Sequence, residues 1–377
     1  MVSGFRSQRA AIAALFFVNG ALFATWVSRI PGVKETLGLS EARLGIALLA
    51  IGLGTLASLP LTSWLMARRG SRAVVIGGAL ACCAGLPLAG AAPSLVLLVA
   101  ALVLFGAALG TMDVAMNSQA ALLERSAGRS IMSSFHGLWS LGGLAGASLG
   151  GGFASGGFSP GRHFVAASVV LGLVVVATAR ALVRDGVPRS AAAPLVWPSR
   201  AVLAIGLVGA CGAVVEGGIA DWSGVYLRDS LGTGVGTAAS GFAAFSLAMT
   251  VGRFSGDQLI DRFGRRAMLR FGSTVTAVAI ATALLSASAP AAIAAFVAAG
   301  FGMCTVFPIA FGAAGRLPGA APGYAIAAVA TMAYGAGLIG PPVIGFAAGA
   351  TSLPVALGLL VPACLMIAAL ARSPAIH

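Results

Sequence analysis

The groups able to carry a proton or hold a polar solute are few in this 377-residue chain, and most sit inside long apolar runs. Glu216 lies well within the run 200–226, with Asp221 and Trp222 toward its end. Asp113 and Asn117 close the run 95–117 and, four residues apart, share one helix face. His136 opens the run 131–155, with Trp139 after it. A carboxylate inside a bilayer is costly, so its default reading is functional. Histidine titrates near neutral pH. Glu216, Asp113 and His136 are therefore the candidate proton carriers, and an Asp113–His136 relay across neighbouring helices is one way to use two of them. The plainer readings stay open: Asp113 bonding to helix ends near a gate, and His136 as a hydrogen-bonded packing residue. Asp221, five residues and about 140° round the helix from Glu216, reads as an interfacial or gate residue facing Arg29 or Arg228.

A second set of residues suits a solute cavity. Phe16, Asn19, Phe23 and Trp26 follow one another at helical spacing on one face, which either lines a cavity or packs inside a bundle. Asn19, Trp26, Asn117, Trp139, Asp221, Trp222, Phe245 and Tyr334 are the cavity candidates. Aromatic stripes more often serve packing.

The elements that must position these groups follow from composition. The chain is 59% hydrophobic and 9% charged, against roughly 25% charged in soluble domains. Its net charge of +13 suggests a nucleic-acid binder only until the arginines are placed. They lie singly and in pairs between apolar runs, not on one basic face. With about 20 residues per membrane crossing, twelve segments emerge: 10–30, 43–66, 73–91, 95–117, 131–155, 162–183, 200–226, 237–257, 267–288, 291–314, 324–347 and 353–371. Residues 1–183 form a first half, 184–199 a Pro- and Arg-bearing linker, and 200–377 a second half. With the N-terminus inside, 17 of the 23 basic residues fall on the inner side and five on the outer, so both termini are expected in the cytoplasm. The five cysteines lie in apolar runs without metal-ligand spacing. His136, His163 and His377 are too scattered for a catalytic constellation, so no enzyme, metal or cofactor is expected.

The halves are related. The charged turn Leu259-x-Asp261-Arg262-x-Gly264-Arg265-Arg266, preceded by Gly256-Asp257, lies 194 residues after Arg68-Arg69-Gly70-Ser71-Arg72, with Gly70 opposite Gly264. Trp26 falls opposite Trp222, and Gly146-Ala147 opposite Gly340-Pro341. Such doubling is a habit of secondary transporters. The stripe Gly142, Gly146, Gly150 would let two helices approach closely.

Together these features resemble the major facilitator superfamily across the whole chain. Phe135-His136-Gly137, Ser140-Leu141-Gly142, Glu216-Gly217, Asp221-Trp222, Met249-Thr250-Val251-Gly252-Arg253-Phe254 and Gly340-Pro341-Pro342 are similar to its MosC/YbjJ-like branch. The resemblance implies an all-α membrane protein: twelve transmembrane helices in two pseudo-symmetric six-helix bundles, working by alternating access as a monomer in a bacterial cytoplasmic membrane. It implies a proton-coupled carrier of a small polar solute, sugar- or cyclitol-like. A drug–proton antiporter is the alternative, favoured by the helix-5 glycines, and a non-transporting receptor is a remote one. It also assigns gating to Arg68, Gly70, Arg72, Asp257, Asp261, Arg262, Gly264 and Arg265. Within the family the Asp of this turn caps the start of a helix in the opposite half. Here the first-half position is Ala67, so Asp261 alone is expected to cap the fifth helix near Ser133 and Ser134.

Overall fold

The computed structural model describes residues 2–39, 41–185, 198–318 and 322–376. Most of the expected linker, 186–197, lies outside the described residues. The rest is helical. α1 is Val2–Thr36. The helical run Glu41–Ala91 is interrupted at Gly70, where φ is 76° and ψ 159°, giving α2 (41–69) and α3 (71–91). There follow α4 (Leu95–Ala127), α5 (Met132–Ser155) and α6 (Pro160–Ala179). α7 (Arg200–Val225) ends in a π-helical turn, Tyr226–Ser230. α8 (Val235–Phe263) and α9 (Arg265–Ser286) are separated by Gly264, at φ 81° and ψ 153°. α10 (Ala289–Arg316) breaks at Cys304 and Thr305. Pro308 sits four residues after Cys304, has no N–H to give its carbonyl, and so favours a break there. α11 is Pro322–Ala350 and α12 Leu353–Leu370. Among the described residues the twelve expected segments are thus twelve helices, several extending beyond their apolar cores.

Gly70 and Gly264, paired in sequence, adopt nearly the same positive-φ backbone. A side chain is disfavoured there, and this explains why the turn repeats with glycine at its centre. The doubling extends to packing. A Cβ on Gly106 of α4 would strike the carbonyl of Ile51 on α2; 194 residues on, a Cβ on Gly300 of α10 would strike the carbonyl of Phe245 on α8. The glycine stripe of α5 behaves as expected: side chains at Gly142, Gly146 and Gly150 would collide with Phe17, Ala21 and Ser28 of α1. Gly20 on α1 meets Trp139 in the same way. These glycines are therefore used for close helix contact, where dispersion rather than apolar burial holds membrane helices together.

The described residues form two compact units. One holds α1–α4, α5 from Leu138 onward, α6, and α11 as far as Ala327. The other holds residues 128–137, α7–α10, the rest of α11 and α12. The entrance to α5 thus packs with the second unit although it belongs to the first half of the sequence. Large apolar side chains remain outward, such as Val96, Phe271, Leu285 and Phe346, as a surface bathed in lipid requires.

Candidate functional site

The second unit concentrates the charged groups on one face of α8. Arg253, Asp257 and Asp261 recur every four residues and so lie in a row. At the deep end, the Arg253 guanidinium meets Glu216 of α7 at 3.5 Å, with side-chain exposures of 5% and 21%. Unit charges at 3.5 Å attract by about 5 kcal/mol at an effective dielectric near 20. That is enough to offset part of the arginine's desolvation. Glu216 Oε1 is buried and has no hydrogen-bond partner among the described residues. One oxygen therefore faces the arginine, and the other is buried with its acceptor capacity unused.

The next turn of α8 grips the start of α5. Ser133 Oγ donates to the Arg253 carbonyl at 2.8 Å. The Ser133 N–H donates to Asp257 Oδ1 at 2.7 Å and the Ser134 N–H to Asp257 Oδ2 at 3.0 Å. These are orphan donors of a helix first turn, satisfied by a carboxylate from another helix, which also meets the positive end of the dipole. Asp261 accepts from the Ser130 N–H at 2.9 Å. The expected cap is therefore corrected: Asp257 holds Ser133 and Ser134, and Asp261 holds the connection before the helix. The reason is the pitch of α8, which puts residues 257 and 261 about 6 Å apart along the axis. Gly256 admits Ser133, since a Cβ there would collide with its hydroxyl. His136 follows on the same α5 entrance, its ring stacked on Phe311 at 5.9 Å and 11°. Phe254 lies against Gly137.

Other candidates separate. In the first unit, Trp139 Nε1 donates to Asn19 Oδ1 at 2.9 Å, joining two of the cavity candidates. Asn19 Nδ2 is buried with no hydrogen-bond partner among the described residues. Trp26 is 1% exposed and packs near Phe164, ring centroids 6.0 Å apart. Asn117 is fully buried and donates to the Asp113 carbonyl at 2.9 Å, bracing its own helix. Asp113 is half-buried on α4. Asp221 is exposed, and Arg29, one partner offered for it, instead donates to the carbonyls of Gly150 and Phe158 at the end of α5. Trp222 lies against Gly345, Phe245 is buried, and Tyr334 is half-buried on α11.

At the first-half turn, Arg68 covers the Trp64 ring at 4.3 Å. Ala67 brings no carboxylate; a different contact is made by Asp185, whose oxygens accept from the N–H groups of Ser71 and Arg72 at the start of α3, within the same half. Gln119 of α4 secures that arrangement, donating to Ser71 Oγ at 2.7 Å and to the Val183 carbonyl at 3.1 Å, and accepting from the Val183 N–H at 2.9 Å. Asp185 and Gln119 lie outside any motif. Arg253 carried a signal in its spacing from Asp257, but its partner is 37 residues away on another helix.

The profile of the Major Facilitator Superfamily matches residues 11–254 and 205–374. An uncharacterized MFS-type transporter of Yersinia pestis is 38% identical over 369 residues, covering 97% of this chain and 96% of that protein. The membrane protein MosC of Rhizobium meliloti is 34% identical over 371 residues, covering 95% and 88%. Among solved structures, the transporter FucP in its outward conformation superposes with a TM-score of 0.80 at 18% identity, covering 98% of this chain and 99% of that one. The proton:xylose symporter XylE does so at 0.78 and 12% identity, covering 98% and 95%.

Proposed function

The chain belongs to the major facilitator superfamily, a family of transporters and not of enzymes, and from that premise we propose a proton-coupled carrier of a small polar solute, sugar- or cyclitol-like. The observation that carries the proposal is the Glu216–Arg253 pair with Glu216 Oε1 buried and without a hydrogen-bond partner among the described residues, one turn from the Asp257 grip on α5. The pair and the grip share a peptide, because the Arg253 carbonyl accepts from Ser133 while its guanidinium holds Glu216. Protonation of Glu216, or a solute hydroxyl bound to it, releases the guanidinium. The resulting shift at Arg253 is transmitted along α8 to the α5 entrance, and the cytoplasmic side opens. Asp113 and His136 are secondary carriers in this scheme. FucP and XylE, described as fucose:proton and proton:xylose symporters, give the chemistry a precedent on this fold.

In this reading the halves 1–183 and 200–377 rock about the solute, joined by 184–199, in the inner membrane with both termini inside. The protein acts as a monomer without cofactor or nucleic acid. The helix-5 glycines, which invited an antiporter reading, are occupied in contact with α1. The test is a thermal-shift panel of sugars, cyclitols and cationic drugs at about pH 5.5 and 7.5, since a ligand that binds only the folded state raises Tm. A sugar or cyclitol whose shift depends on pH in the native protein and not in Glu216→Gln supports the proposal. Hits confined to cationic drugs contradict it.

A further inference from the structure

Behind the charged row of α8 stands the break in α10. Pro308 causes it, since its ring crowds the Cys304 carbonyl and offers it no N–H. Thr305 takes up φ −101° and ψ −3°, and the helix resumes where its carbonyl accepts from the Ile309 N–H at 2.9 Å. The broken turn is tightly enclosed: Cys304, Thr305 and Val306 are 2%, 1% and 0% exposed. Cys304 folds its thiol back, donating to the Phe301 carbonyl at 3.0 Å.

This turn touches both helices that carry the ion pair, and it meets each at a glycine. A Cβ on Gly252 of α8 would lie 2.8 Å from Cys304 Sγ, and one on Gly256 would lie 3.1 Å from Thr305 Cγ2. Those glycines share a face of α8, and Arg253 and Asp257 occupy the next face, about 100° round. A Cβ on Gly212 of α7 would lie 2.8 Å from Val306 Cγ1, and Glu216 stands one turn further along the same face. On both sides, therefore, backbone rests directly against an α10 side chain. Close-packed interiors have no slack for an added methyl, and Val306, being β-branched, is held to one rotamer in a helix.

We propose that the broken turn of α10 is the positioning element of the Glu216–Arg253 pair. Val306 against α7 and Cys304 against α8 set the helix separation that leaves the two charges 3.5 Å apart. Charge-assisted hydrogen bonds usually close to about 2.7–2.9 Å. The turn thus holds the pair within attraction but short of full contact, which makes it easier to part. The bearing on transport rests on the function proposed above; the spacing of the helices does not.

The test is a double-mutant cycle of Glu216→Gln and Arg253→Gln, read as Tm of the full chain in micelles. Losses in the native background should be non-additive. Gly212→Ala must move α7 about 1 Å to restore ordinary contact with Val306. The Coulomb attraction then falls by about a fifth, and the hydrogen bond, already at its limiting length, breaks. The non-additive part should shrink by at least that fifth. Gly212→Ala/Val306→Ala should restore it, because without Cγ1 the nearest atoms to the new methyl are 3.8 and 3.9 Å away. Gly217→Ala, whose Cβ meets nothing, should leave the cycle unchanged. If Gly212→Ala does not fold, Gly252→Ala makes the same test from the α8 side. A uniform fall in Tm with the non-additive part intact is what a merely structural turn gives, and it would overturn the positioning role while leaving the transport reading in place. Solute-linked proton movement that survives Glu216→Gln would overturn the transport reading and leave the positioning role in place.

Discussion

Asp257→Asn probes the grip on α5 with little change of volume. In the native protein both carboxylate oxygens accept backbone N–H groups, at 2.7 Å from Ser133 and 3.0 Å from Ser134. Asparagine retains one acceptor and turns an NH₂ toward the other N–H, so one charge-assisted bond is lost and a donor faces a donor. A hydrogen bond to a charged group contributes about 1.5–3 kcal/mol. Asp257 is 9% exposed, so solvent does little to screen it. The released α5 entrance should therefore be populated roughly 10- to 150-fold more. Hydrogen exchange followed by mass spectrometry on a peptide spanning residues 130–137 reads this directly. The amides of Ser133 and Ser134 should exchange faster by about that factor. Asp261→Asn should have a smaller effect, because Asp261 is exposed and holds one N–H, and exposed charges contribute at most about 1 kcal/mol. Unchanged exchange in Asp257→Asn, or a larger effect from Asp261→Asn, would refute the reasoning.

Other perturbations follow from the same contacts. Glu216→Gln takes away the Glu216 charge that faces the 5%-exposed Arg253 and should cost up to about 3–5 kcal/mol in denaturant unfolding. Adding Arg253→Gln should recover part of that loss, whereas additive losses would deny the pairing. Trp139→Phe abandons the buried Asn19 amide and should lower stability by about 1–3 kcal/mol, seen as a lower Tm. Gly146→Leu drives a side chain into the Ala21 backbone and should reduce folded yield more than Gly143→Leu one turn away, where a Cβ meets nothing.

Much of the fold was legible because a bilayer restricts what a segment can be. Twelve apolar runs became twelve helices, and the glycine stripe marked the α1–α5 contact. Gly70 and Gly264 marked two turns of like conformation. The site was less legible. Periodicity assigns a residue to a helix face but says nothing of which helix that face meets. It therefore grouped Trp26 with Asn19, although Trp26 packs near Phe164 while Asn19 bonds Trp139. Glu216 stood out, with Asp113, as an intramembrane carboxylate, whereas Arg253, inside the run 237–257, gave no sign of which helix its side chain meets. Pseudo-symmetry pointed to Asp261 for the helix cap, but the pitch of α8 gives that role to Asp257. No internal repeat could indicate Asp185, which caps the start of α3 from a position outside the repeated turn.

The central claim is that Glu216, held by Arg253, couples solute movement to proton movement. Its most direct test uses proteoliposomes containing a trapped pH indicator and the best polar ligand from the thermal-shift panel. An imposed solute gradient should change the internal pH in vesicles bearing the native protein. In Glu216→Gln vesicles the solute should still exchange between compartments while the pH stays constant. A pH change of equal size in the variant would contradict the account, and so would solute movement without any pH change in the native protein.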